Sequence, residues 1–238
     1  GKDWWDPYGK VAFKTTGSYN PPPFDFENEK LLSYTKKLCP AYLSIGGTKS
    51  DEIHYLNEEE GNLTQEMWDN IYEFLRETNC ELVFTINAGE WDLENAEKFL
   101  SYSKEHGYRI KDFRFGNEVN SFWIRGLNLQ NYNQNFLEAQ KLVRKYYPDA
   151  RLIPISSSYW PLIGEPFPVF EEFLQTVALN ENAISWHYYP QQSKRCLVAT
   201  KSANKYFNLY PSYFDEFGKL SDVVEKYRSD YSPSSELW

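Results

Sequence analysis

The chain has 238 residues, a formal net charge of −9 at pH 7, 18% aromatic residues and a single methionine. That length suits one domain or most of one large domain, and the negative balance argues against wrapping nucleic acid or an anionic membrane, while leaving room for a local basic cleft. No apolar run approaches the ~20 residues that span a bilayer, and Cys39, Cys80 and Cys196 show no metal-ligand spacing.

Strand-like and helix-like stretches alternate from the start. Val11-Ala12-Phe13 reads as a strand and Pro21-Pro22-Pro23 as a loop. Glu27 to Leu38 reads as a helix burying Leu31, Leu32, Tyr34 and Leu38, stopped by Pro40. Ala41 to Ile45 is a second strand, closed by Gly46-Gly47. Thr64 can cap a helix to about Glu77 with Trp68, Ile71, Tyr72 and Leu75 as its stripe. Leu82 to Ile86 is the third strand. Asp92 caps a helix that runs toward His106 and ends at Gly107.

Asp112 to Phe115 is the fourth strand, and Asn131 to Tyr147 a long helix stopped by Pro148. Leu152 to Ile155 is a fifth strand with an unusual internal proline, which removes a ladder donor. A Pro-rich loop from Pro161 to Pro168 leads into a helix ending near Leu179, and Ala183 to His187 is the sixth strand. Helices over Ala203–Tyr210 and Phe214–Arg228 complete the series. Strands alternating with helices imply a parallel sheet with right-handed crossovers. The fold expected is α/β, an incomplete (β/α)8 TIM barrel of about six β/α units, with an open doubly wound sheet as runner-up; either way the ligand side is the C-terminal ends of the strands.

The strand end that carries most chemistry is Phe113-Arg114-Phe115-Gly116-Asn117-Glu118. An alternating apolar run stops at an Asn-Glu pair, where parallel-strand enzymes place catalytic groups. A carboxyl among aromatics there can keep its proton near neutral pH and act as a general acid; the bland reading is a solvated strand-end Glu.

Several strand ends together resemble glycoside hydrolase family 79, which contains heparanase, leech hyaluronidase and bacterial β-glucuronidases. Pro40-Ala41-Tyr42-Leu43 followed by Gly46-Gly47-Thr48-Lys49-Ser50-Asp51 is similar to its second-strand motif, and Phe84-Thr85-Ile86-Asn87-Ala88 to its third strand. Gly116-Asn117-Glu118-Val119-Asn120-Ser121-Phe122 differs from the heparanase form only at Val119, which replaces proline, and Trp186-His187-Tyr188-Tyr189 resembles the end of the sixth strand. The resemblance implies a retaining β-glucuronidase barrel that needs neither cofactor nor metal. Glu118 takes the acid/base position, and Asn117 that of the amide orienting the sugar 2-hydroxyl. Thr48 and Asn120 match positions lining the sugar subsite, and Tyr189 and His187 match groups near the nucleophile. It also implies a glycan partner, such as a glycosaminoglycan or related glucuronide cleaved in endo fashion, and a secreted or lysosomal location.

The departures carry expectations of their own. The family's nucleophilic Glu follows a Leu-Trp-Leu-Gly run on strand seven, and this chain stops at Ser235-Glu236-Leu237-Trp238. Residues 1–238 are therefore expected to form a partial barrel domain without strands seven and eight or the family's β-sandwich domain. A continuation or a second chain would complete it. The alternative is a truncated, non-catalytic relative that binds glycans or serves assembly. Lys14 stands where heparanase has a sugar-binding Asp.

Other residues admit both a functional and a structural role. Trp91, Trp123 and Trp160 follow strand ends and suit sugar stacking, though packing is the commoner use. Lys194 and Arg195 suit anionic substituents, or a solvated loop. Glu90 and Glu216 are the tempting substitute nucleophiles, but neither sits in a motif. Asn62-Leu63-Thr64 is a glycosylation sequon if the chain is secreted. Cys39 and Cys80 each begin a strand, and the two strands should be parallel neighbours. Strands ~4.8 Å apart suit the Cα separation of about 4.4–6.8 Å that a disulfide tolerates, so these two are expected to pair in a secreted chain, with Cys196 left over. In the resemblance this pairing replaces the heparanase bridge from the Cys80 position, whose partner position is Ser103 here.

Overall fold

A computed structural model describes residues 24–121, 131–158, 170–176, 183–190 and 211–238. They fall into two compact units, one holding the described residues of 24–117 and 134–153, the other those of 118–133 and 154–238. Strand Val11–Phe13, helix Ala203–Tyr210 and residues Lys14, Trp123, Trp160, Lys194, Arg195 and Cys196 lie outside the described residues.

In the first unit, α1 (Glu29–Leu38) starts where the Asn28 side chain accepts from the Lys30 and Leu31 amides. Its expected buried face is a correction. Leu31 and Leu32 are half-buried, but Tyr34 and Leu38 are 64% and 74% exposed. The helix lies beside α2 (Gln65–Thr78), joined to it by a Lys36–Glu77 pair, and none of its residues is buried. β1 (Tyr42–Ile45), β2 (Glu81–Ile86) and β3 (Asp112–Asn117) pair in parallel, and the first residues of β4 (Arg151–Ser158) follow beside β3. There Asp112 accepts from the backbone N–H and the guanidinium of Arg151, at 3.0 and 2.7 Å.

The caps expected at Thr64 and Asp92 are present. Thr64 Oγ1 accepts from the Met67 amide, and the Asp92 carboxylate from that of Asn95 at the start of α3 (Leu93–Glu105). The core lies between sheet and helices. Trp68 is fully buried with its ring about 5 Å from those of Phe84 and Phe99 (5.1 and 4.8 Å), and its Nε1 donates to Ser103. Phe113 packs on Tyr147, and Phe115 on Trp91 and on Phe136 of α4 (Tyr132–Tyr146). Residues of β2 are buried on both faces from Leu82 onward, as a covered parallel sheet requires. Gly46 is forced: a Cβ there would meet Thr85 Oγ1 at 2.2 Å. Cys39 and Cys80 form a disulfide with Cα atoms 5.4 Å apart.

In the second unit, β4 continues to Ser158, three residues beyond the expected end, and pairs in parallel with β6 (Trp186–His187). The expected sixth strand is divided. β5 (Ala183–Ile184) pairs instead with β7 (Glu236–Leu237), because Trp238 donates to Ile184 and accepts from Trp186 through the backbone. α5 (Phe170–Thr176) packs on α6 (Pro211–Tyr231) through Phe170 against Tyr227 and a Tyr231–Glu171 hydrogen bond. Strand order rises through β1-β2-β3-β4 in one unit and β4-β6 in the other, with no reversal of the kind that marks a doubly wound sheet.

Candidate active site

Glu118 follows the last residue of β3, and the backbone turns sharply to place it there. Gly116 has φ +76°, which glycine tolerates freely, and Glu118 itself has φ +49°. A non-glycine residue in the left-handed region is uncommon and persists only where its surroundings enforce it. Here the Glu118 amide donates to the Ser156 carbonyl of β4 at 2.9 Å.

The Glu118 side chain is 16% exposed, and its Oε1 is shared by two groups carried by β6 and the residues just after it. Tyr189 donates its hydroxyl at 2.5 Å, and His187 Nδ1 lies 2.8 Å away, within hydrogen-bond distance. The register that pairs Ser158 with His187 brings this strand end alongside Glu118's own support on β4. Tyr189 is 44% exposed, with its hydroxyl set against the Glu118 carboxylate. Burial first, then the charge and hydrogen bond of Glu118, push that hydroxyl well above the ordinary tyrosine range. A carboxyl with limited water access, touched by a phenol and an imidazole, is equipped to exchange a proton with a bound group.

Asn120, expected to line the sugar subsite, is fully buried. Its amide donates to the Ser158 carbonyl and its oxygen accepts from the Ser158 amide, at 2.8 and 2.7 Å. It ties the turn after Glu118 to the end of β4. Ser156 and Ser157 are buried with hydroxyls that have no partner among the described residues. In the other unit, Thr48 opens a 3-10 turn (Thr48–Asp51) after β1 and is half-buried, as is Asn117 at the end of β3. Asn87, just past β2, is buried, accepts from the Glu90 amide and donates to the Ile53 carbonyl.

Glu90 is an exposed loop residue 3.7 Å from His54, and Glu216 on α6 accepts from Tyr188 at 2.6 Å. Trp91 donates to Glu138 and packs edge-on against Phe115, a packing role. Asn62 accepts the His54 amide through its side chain, and Leu63 donates to the His54 carbonyl, so the sequon is woven into the loop before α2. The residue that sequence reasoning missed is Asp51, fully buried with its carboxylate accepting from two strand-end amides. Its only signal was its place at the end of the Gly46–Asp51 run. No metal-binding group of three or more His, Cys, Asp or Glu occurs among the described residues, and none of their helices is long and apolar enough to cross a membrane.

Comparison with known proteins decides the family. The family described as glycosyl hydrolase family 79, N-terminal domain, matches residues 57–238. The chain belongs to glycosyl hydrolase family 79. Heparanase-like protein 3 of Arabidopsis thaliana is 23% identical over 278 residues, covering 99% of this chain and 49% of the relative. Rattus norvegicus heparanase is 28% identical over 187 residues, covering 71% and 32%. Baicalin-beta-D-glucuronidase of Scutellaria baicalensis is 24% identical over 203 residues, covering 64% and 38%. This family 79 chain thus spans about half the length of the first relative and about a third of the second.

Among solved structures, the GH51 α-L-arabinofuranosidase of Thermotoga petrophila RKU-1 matches with a TM-score of 0.62 at 17% identity, covering 90% of this chain and 48% of that one. The GH51 arabinofuranosidase of Xanthomonas axonopodis pv. citri gives 0.62 at 11% identity, covering 92% and 52%. At such identities the likeness speaks for the fold alone: α/β, an incomplete (β/α)8 barrel.

Proposed function

We propose that this family 79 chain carries the acid/base half of a retaining, heparanase-type endo-β-glucuronidase that acts on a glycosaminoglycan or related glucuronide. The observation that carries the reading is the placement of Glu118: past the C-terminal end of a parallel strand, mostly enclosed, with Tyr189 and His187 on one of its oxygens. In such a mechanism Glu118 protonates the departing glycosidic oxygen. It then takes a proton from the water that releases the sugar from a second carboxylate, about 5–5.5 Å away.

We place that second carboxylate on a strand following Glu236–Leu237, whose Leu-Trp sequence resembles the lead-in to the family's nucleophile. Asn117 and Thr48 serve the sugar, and the Cys39–Cys80 disulfide and the Asn62 sequon favour an extracellular or lysosomal setting, since disulfides persist where conditions are oxidising.

The test is Glu118→Gln in a polypeptide that carries both carboxylates. Turnover of glucuronides with poor leaving groups should fall by roughly 100-fold or more, while glucuronide binding is kept. Unchanged turnover sinks the assignment. Binding without turnover in the unsubstituted protein would favour a glycan-binding role.

A further inference from the structure

The β2–β3 ladder stops at the Ile86–Phe115 pair. Just past it, the amides of Ala88 and Asn117 donate to a side chain. One carboxylate takes both. Asp51 Oδ1 accepts from the Ala88 amide at 3.1 Å and Oδ2 from the Asn117 amide at 2.9 Å. Its backbone carbonyl also accepts from Glu90, and the residue has no exposed surface. An ionised carboxylate is costly to bury, and bridging amides with its two oxygens compensates that cost.

The position of this bridge is informative. Asn117 lies between two residues with positive φ, Gly116 at +76° and Glu118 at +49°. A left-handed glutamate relaxes unless its flanking peptides are held. The peptide between Asn117 and Glu118 is held by the Glu118 amide on the Ser156 carbonyl, and the one before it, between Gly116 and Asn117, by the Asn117 amide on Asp51. We propose that Asp51 is a positioning residue for Glu118: its buried carboxylate fixes the Asn117 amide and thereby the left-handed turn from which the acid/base projects. The role in catalysis rests on the acid/base reading of Glu118; the grip on the backbone does not.

The experiment uses the full chain, labelled for NMR. In the unsubstituted protein, through-hydrogen-bond couplings should connect the amides of Ala88 and Asn117 to the Asp51 carboxyl carbon. In Asp51→Ala, both amides should exchange with solvent at least about 10-fold faster while those of Phe84 and Phe113 are unchanged, because opening is local. The carboxyl carbon of Glu118 should shift its resonance and its titration midpoint. Asp51→Asn, which keeps one acceptor oxygen, should fall between the two. Absent couplings overturn the proposal even if both variants fail to fold. So does uniform acceleration of all core amides, or a Glu118 signal that does not respond. These readouts need no turnover, so they stand apart from the Glu118→Gln test. In a polypeptide with both carboxylates, Asp51→Asn should lower kcat with KM within about 2-fold, the pattern of a lost transition-state interaction.

Discussion

Tyr189 donates its hydroxyl to Oε1 of Glu118 at 2.5 Å, which ties a strand-six phenol to the carboxyl at the end of β3. The link runs in both directions. The phenol favours the ionised carboxylate, and the carboxylate's charge disfavours the phenolate. Glu118→Gln keeps an acceptor oxygen but removes the charge, so Tyr189 should titrate closer to the ordinary tyrosine value of about 10. Burial, the larger cause, should keep it from returning fully. Alkaline absorbance titration, with Tyr189→Phe subtracted, measures the shift. An unchanged midpoint would mean the charge plays no part.

Stability should fall on the alkaline side. Burial pushes the hydroxyls of Tyr55 and Tyr147 above the ordinary range, so the folded chain holds those protons more tightly than the unfolded one. Their contribution is complete below pH ~10, the unfolded value, and is lost as pH climbs from there toward the folded values. Each tyrosine that behaves this way costs about 1.4 kcal/mol per pH unit above that point. Urea unfolding at pH 8 and 9 should give equal stabilities, with a steep decline by pH 11. A flat profile to pH 11 would contradict it.

Breaking the Cys39–Cys80 bond should cost about 3–4 kcal/mol, since it closes a loop with a sequence separation of 41. The double variant Cys39→Ser/Cys80→Ser, compared with the oxidised chain in denaturant, measures this. A loss under 1 kcal/mol would show that the unfolded chain gains little from opening the loop.

Arg114 sits on β3 with one guanidinium nitrogen donating to Ser44 and a buried Nε without a partner. Burial holds its guanidinium below the ordinary arginine range. A half-buried cation with no ion pair among the described residues carries a desolvation cost with little return, so an apolar chain of similar reach can take its place. Arg114→Met should therefore leave stability unchanged or raise it by about 1 kcal/mol. A drop larger than that in chemical denaturation would reveal an anionic partner.

Much of this was legible in the sequence because the signals are local. Thr64 and Asp92 cap the helices they precede, and the stop at Gly116-Asn117-Glu118 marks the end of β3. What escaped depends on partners distant in the chain. Ser156, Ser157 and Ser158 look like a loop, yet they extend β4 because Ser158 and Asn120 satisfy each other. The Ala183–His187 run divides because Trp238 takes its middle backbone groups. Tyr34 and Leu38 fit a helical stripe, but α1 buries none of its residues, and those half-buried are Leu31, Leu32 and Thr35. Asp51 carried only its place at the end of the Gly46–Asp51 run, since no hydropathy pattern marks a carboxylate as fully enclosed.

In a secreted chain the Asn62 sequon would set a clock. Once the loop closes, the Asn62 side chain receives the His54 amide, and the Thr64 hydroxyl is engaged by Met67. A transferase that must draw the tripeptide into its own groove finds both groups available only before closure. Sugar on Asn62 would therefore record how long the newly made segment stayed open, and variants that fold this loop faster would leave the organelle with fewer glycans.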